Sequence, residues 1–148
     1  MERPKKIGIA ADHAGYALKE LLKERLVSQG YEIVDFGTHS EQSMDYPDIA
    51  HPLAISVESG ESEIGIALCG SGNGVNMTVN KHKGIRGALC WSAEISRLAR
   101  LHNNANIVSI PARFISSEEA YEIVEIFLST HFEGGRHLNR INKITCSL

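Results

Sequence analysis

The chain has no apolar run long enough to cross a membrane. It has no excess of positive charge either: the formal net charge over 148 residues is -3. That balance gives no general attraction for nucleic acid, so an anionic ligand must be held by a local basic cluster. Cysteine is scarce. Cys69, Cys90 and Cys146 are odd in number, and no two form a C-x-x-C pair. This argues against a disulfide framework or a zinc site and fits a reducing compartment. The seven histidines show no H-E-x-x-H or comparable ligand spacing, which argues against metal-assisted chemistry. Internal repeats, linkers and low-complexity segments are missing too. Lys5 and Lys6 precede an apolar run too short for a signal peptide, which stops at Asp12, so a cytoplasmic protein is expected.

What remains is an ordinary globular composition, 43% apolar and 22% charged, and a length that predicts one domain spanning 1–148. The chain is organised around Glu63 to Met77, EIGIALCGSGNGVNM. A short apolar run bounded by turn residues suits a parallel strand covered on both faces. Gly70, Gly72 and Gly74 then alternate with Ser71 and Asn73, and a helix can start behind them. Glycines let a ligand approach the backbone closely, and the unpaired amides of a helix start can hold an anion. Cys69 falls where the strand ends, the usual ligand side of an open parallel sheet.

The flanking sequence repeats the same alternation. Strands are predicted at 7–11, 31–36, 85–90 and 107–110. Leu18, Leu21, Leu22 and Leu26 recur at helical spacing up to Gly30. Tyr46-Pro47-Asp48 leads into a second helix, with Pro52 expected in its first turn and Gly60 closing it. A helix from Ser92 to about His102 carries a stripe of Ile95, Leu98 and Ala99. Ser116-Ser117-Glu118-Glu119 reads as a capping box ahead of a stripe of Ala120, Ile123, Val124, Phe127 and Leu128. After Gly134-Gly135 a basic helix runs from Arg136 to about Ile144. Five strands alternating with helices imply a parallel sheet with helices on both faces.

Each candidate site residue has a bland reading beside its functional one. Cys69 is either a buried core thiol or a reactive group beside the glycine loop; Cys90, followed by Trp91 and no such loop, reads as core. Gly70, Gly72 and Gly74 do not follow the G-x-G-x-x-G dinucleotide spacing, and no G-x-x-x-x-G-K-[ST] phosphate loop is present. His102 is a core histidine or, at a helix C-terminus, a proton donor to a sugar ring oxygen. Asp12 and His13 are a helix cap and a surface residue, or ligand groups. Arg136 and Arg140, four apart, form a solvated stripe or a two-arginine grip on a phosphate.

Taken together, ADHAGY, Asp45-Tyr46-Pro47, CGSGNG, NK before GIR, LARLHNNAN and EGGRHLNR resemble the type B ribose-5-phosphate isomerases of the RpiB/LacAB sugar-phosphate isomerase family, from Lys6 to Ile144. The resemblance implies a single Rossmann-like domain that interconverts D-ribose 5-phosphate and D-ribulose 5-phosphate without metal or cofactor. It implies a homodimer, in some members a dimer of dimers, with active sites between subunits and the C-terminal helix reaching the partner. Cys69 would move the proton between C1 and C2. Ser71 and the amides of Gly70, Gly72, Asn73 and Gly74 would stabilise the enediolate. His102, with Asn103 beside it, would assist ring opening. Asp12 and Tyr46 would contact the sugar, and His13, Arg113, Arg136 and Arg140 the phosphate. A second branch of the family carries its base as a glutamate just after the last loop glycine. That position here is Val75, which places the chain with the cysteine branch. A related pair of proteins divides the catalytic residues between two different chains; this one carries both Cys69 and His102. Allose 6-phosphate or galactose 6-phosphate is the alternative substrate. A nucleotide-binding module, a cysteine hydrolase and a non-catalytic sugar-phosphate sensor are the rival functions.

Overall fold

A computed structural model describes residues 3–146. Its strands are β1 (Lys6–Ala11), β2 (Glu32–Asp35), β3 (Ile64–Cys69), β4 (Gly87–Leu89) and β5 (Ile107–Pro111). Its helices are α1 (Tyr16–Ser28), α2 (Pro47–Ser59), α3 (Asn73–Val79), α4 (Ala93–Asn103), α5 (Ser117–Ser129) and α6 (Arg136–Ile141). The sheet has the order β2-β1-β3-β5-β4, and every pairing is parallel. No helix among the described residues is long and apolar enough to cross a membrane.

The two faces of the sheet follow from side-chain alternation. Ile7, Ile9, Ile66 and Leu68 pack with Leu22 of α1, Ala99 of α4 and Phe127 of α5. Ala10, Ala67 and Cys69 point the other way, towards Leu53 of α2 and Val75 of α3. Small residues on this second face let α2 lie close. A β-carbon added at Gly8 would stand 2.7 Å from Leu53 Cδ1.

Two strands are shorter than the sequence suggests, four residues in β2 and three in β4. The capping box of α5 forms in both directions: Glu119 N–H donates to Ser116 Oγ at 3.1 Å, and Ser116 N–H to Glu119 Oε1 at 3.0 Å. All five residues of its stripe are buried.

Three expectations need correction. Pro47, not Pro52, takes the first-turn position of α2, and Pro52 lies inside the helix. There it removes one backbone donor on an exposed face. Helix α6 ends at Ile141 rather than near Ile144. Helix α4 buries Ser96, Ala99 and Arg100, while Ile95 and Leu98 stay half-buried. Ser96 Oγ donates to Ile123 O at 2.7 Å, and Arg100 donates to Thr130 O and Ala105 O. Hydrogen bonding makes these polar side chains good core residues and turns the helix away from its apolar stripe.

The same effect fixes α1. Lys19 is fully buried, and its ammonium donates to both Asp35 oxygens at 3.0 and 2.8 Å. Lys23 Nζ and Gly37 N–H add bonds to the same carboxylate. Burial pushes the Asp35 carboxyl up, but Lys19, the Gly37 amide and Lys23 together hold it below the usual carboxylate range. A depressed folded value means that this stability is present above the unfolded pKa of about 4 and is lost as pH falls through the folded one. Lys19 Nζ also donates to Glu20 Oε1 at 2.9 Å, so Asp35→Ala leaves the buried ammonium one carboxylate and should cost roughly 1.5–3 kcal/mol at pH 7. Denaturant melts at pH 7 and pH 3 test this, with the difference between variant and parent expected to shrink at the lower pH.

Candidate active site

The strands end together at Ala11, Cys69 and Pro111, as their register requires. At this edge Asp12 N–H donates to Leu68 O at 3.1 Å, locking the start of the first loop onto β3. The buried Asp12 carboxylate accepts from the amides of Ala14 and Gly15 at 2.9 and 3.1 Å. It holds the turn ahead of α1 but does not cap the helix, whose N-cap is Gly15 with no side-chain cap bond. His13 Nδ1 accepts from Met44 N–H at 3.2 Å, which ties this loop to the one before α2.

Cys69 is 5% exposed, at the last position of β3. The loop behind it is shaped by close approaches. Gly72 has φ +78°, a left-handed conformation, and a β-carbon there would stand 2.5 Å from Leu89 Cδ1. The Tyr46 ring lies on Gly74, where a β-carbon would stand 2.5 Å from Cζ. The Arg113 side chain lies across Gly70, with Nη1 3.2 Å from that residue's β-carbon position. Arg113 N–H also donates to Gly70 O at 3.0 Å. Exposed Ser71 accepts from Asn73 N–H at 3.3 Å through its Oγ. A thiol, a hydroxyl, loop amides and a guanidinium therefore gather at one edge of the sheet. Val75 is fully buried. Cys90 is a core thiol: it is fully buried, and burial pushes it up to about 12.

The remaining candidates form a second group. Helix α4 runs back against the strands, so His102 and Asn103 lie where β3 and β5 begin. Gly65 pairs with Ile107 at that edge, and Cys69 pairs with Pro111 at the other. The six residues of β3 separate the two edges by about 16 Å. Direct proton transfer needs contacts of about 3 Å. Within one chain, Cys69 and His102 therefore stand too far apart to act on neighbouring atoms of one small molecule. Arg136 and Arg140 belong to the His102 group, exposed on α6, which packs against α4.

Two residues of this second group were missed in the sequence. The His137 ring stacks on that of His102, with centroids 4.3 Å apart and planes 17° apart. Glu133 Oε2 faces both, 3.7 Å from His102 Nε2 and 3.5 Å from His137 Nε2. His137 is 6% exposed, and its Nε2 has no hydrogen-bond partner. Burial, His102 and the two arginines hold its imidazole below the usual histidine value, against the pull of Glu133. The i, i+4 spacing of Glu133 and His137 was the available signal. Donor atoms of the three lie within 4.8 Å of one another. The rings, however, are nearly parallel, so their in-plane lone pairs run side by side, and a shared cation at about 2 Å would require one ring to turn.

Fold and first site together define an α/β protein that gathers a cysteine, a glycine loop and an arginine where its parallel strands end, the usual ligand side of such a sheet. The family model described as "Ribose/Galactose Isomerase" matches residues 7–144. Ribose-5-phosphate isomerase B of Escherichia coli K12 is 39% identical over 141 residues, 95% of each chain. A solved ribose 5-phosphate isomerase from Thermotoga maritima superposes with a TM-score of 0.93 at 52% identity, covering 94% of this chain and 96% of that one. Ribose-5-phosphate isomerase B from Mycoplasma genitalium, solved with bound ribulose-5-phosphate, gives 0.90 at 42%, covering 94% and 93%. The chain belongs to the ribose/galactose isomerase family.

Proposed function

We propose that this protein is an aldose-ketose isomerase interconverting D-ribose 5-phosphate and D-ribulose 5-phosphate in the cytosol. The observation that carries the reading is Cys69 at the end of β3 beside the loop Gly70–Gly74, in a chain of this family. A proton next to a carbonyl is weakly acidic, so a base alone does not suffice. Donors must be aimed at the oxygens of the enediolate as charge develops there. Cys69 removes the proton from C2 and returns it to C1, while Ser71 and the loop amides stabilise the intermediate. Asp12 fixes the floor of the site and Tyr46 closes one wall.

The same reading makes the working unit two chains. Ring opening by His102 needs an acid at the substrate, and a second copy supplies it together with Asn103, Arg136 and Arg140. Apolar groups are exposed at both edges, Trp91 and Phe114 near the strand ends and Leu138 and Ile144 on and after α6. In a two-fold dimer one such surface covers the other. His13 and Arg113 then meet the phosphate from one side and the arginines of α6 from the other.

Turnover of ribose 5-phosphate, coupled to detection of ribulose 5-phosphate with EDTA present, tests the activity. A rate no higher than that of the Cys69→Ala chain would refute it. Allose 6-phosphate and galactose 6-phosphate should give lower kcat/KM in the same assay. Arg136→Ala and Arg140→Ala should each raise KM for ribose 5-phosphate. A lost charge-assisted contact corresponds to roughly 1.5–3 kcal/mol. Inorganic phosphate should inhibit the double variant less than the parent; equal inhibition would place the phosphate elsewhere.

A further inference from the structure

We propose that Glu133 is a positioning residue for His102, with His137 as the wall that fixes the plane of its ring; this rests on the reading of His102 as the ring-opening acid. Glu133 is held at the end of α4 by its own backbone, since its N–H donates to Leu101 O at 3.0 Å. From there its carboxylate oxygen stands beside His102 Nε2, at 3.7 Å. Gly134 and Gly135, with φ +73° and +58°, then fold the chain back so that His137 lies beneath the His102 ring. His137 cannot rotate freely because it is buried. Its unpartnered Nε2 faces the same carboxylate at 3.5 Å. One oxygen thus faces two stacked imidazoles within ion-pair distance, and His102 Nδ1 is the nitrogen left to meet a substrate.

In ring opening the bond between C1 and the ring oxygen breaks, and its electron pair stays on that oxygen. His102 gives the oxygen a proton, and the C1 hydroxyl gives its own proton to water as the aldehyde forms. Such a transfer depends on the angle of the donor. A misplacement of about 1 Å in a reacting group can cost on the order of 100-fold. Glu133 and His137 touch no reacting atom in this arrangement; they act through His102.

The test uses the fact that ribulose 5-phosphate is acyclic, because its C5 oxygen carries the phosphate. Exchange of its C1 hydrogen with deuterium oxide needs enolisation by Cys69 but no ring step. Net interconversion with ribose 5-phosphate needs both. Glu133→Ala should slow interconversion by about 10–100-fold while leaving deuterium exchange within about 3-fold of the parent. A purely structural role would lower both rates together, and that result, or no change in either, overturns the inference. His102→Ala is the reference. If it separates the two rates and Glu133→Ala does not, the positioning role fails alone. If His102→Ala does not separate them, the ring-opening reading fails and takes the positioning role with it.

Discussion

Cys69→Ala is expected to lower isomerisation by on the order of 10²–10⁴-fold, the usual contribution of a positioned base, while substrate still binds. The side chain it removes is small and 5% exposed at the end of a strand, among Ala10, Ala67 and Val75. The fold should therefore persist, and the phosphate contacts lie on other residues. Deuterium exchange at C1 of ribulose 5-phosphate should fall in parallel with turnover, because both need the same proton transfer. Titration calorimetry with ribose 5-phosphate should give a dissociation constant within a few-fold of the parent. Cys90→Ala is the matched control. Burial pushes the Cys90 thiol up to about 12, so it stays neutral and inert, and its removal should leave kcat unchanged. A Cys69→Ala chain within a few-fold of parental kcat would end the assignment of the base.

The second large effect is a recovery. Cys69→Ala and His102→Ala homodimers should each be inactive in net interconversion. Mixed under conditions that exchange subunits, they form heterodimers in which one site carries both lesions and the other carries neither. Activity should return toward one parental site per heterodimer. The separation of about 16 Å along β3 is the reason to expect this. If verified heterodimers recover nothing, Cys69 and His102 do not come from different chains.

Much of this architecture is legible in the sequence, and the parts that are not share a cause. Strand β3 and helix α5 are read correctly because their signals are local: an apolar run before glycines, and a capping box before a five-residue stripe. Helix α4 is misread because its buried face carries Ser96 and Arg100. A hydropathy pattern ranks these as surface residues, and only their acceptors, Ile123 O, Thr130 O and Ala105 O, make them core. Lys19 under Asp35 is hidden in the same way. Family resemblance supplies a residue set and implies a site between subunits, but does not say at which edge of the sheet each residue lies. The separation of Cys69 from His102 was available from topology, since a helix between parallel strands must end at the edge where the next strand begins. Glu133 was passed over because its partners lie on α4 and α6, and no single segment shows them together.

In the proposed two-chain unit, the split of the site between two edges would also set how a damaged copy behaves among sound ones. With random pairing, a chain lacking only Cys69 still lends a sound His102 to its neighbour, so an equal mixture keeps about half of the working sites. A chain lacking both residues lends nothing, and every dimer it joins is silent. The same equal mixture then keeps about a quarter. A single lesion is thus recessive in its arithmetic, and the double lesion is a poison. In that unit the difference would arise from the roughly 16 Å of sheet between Cys69 and His102 of one molecule.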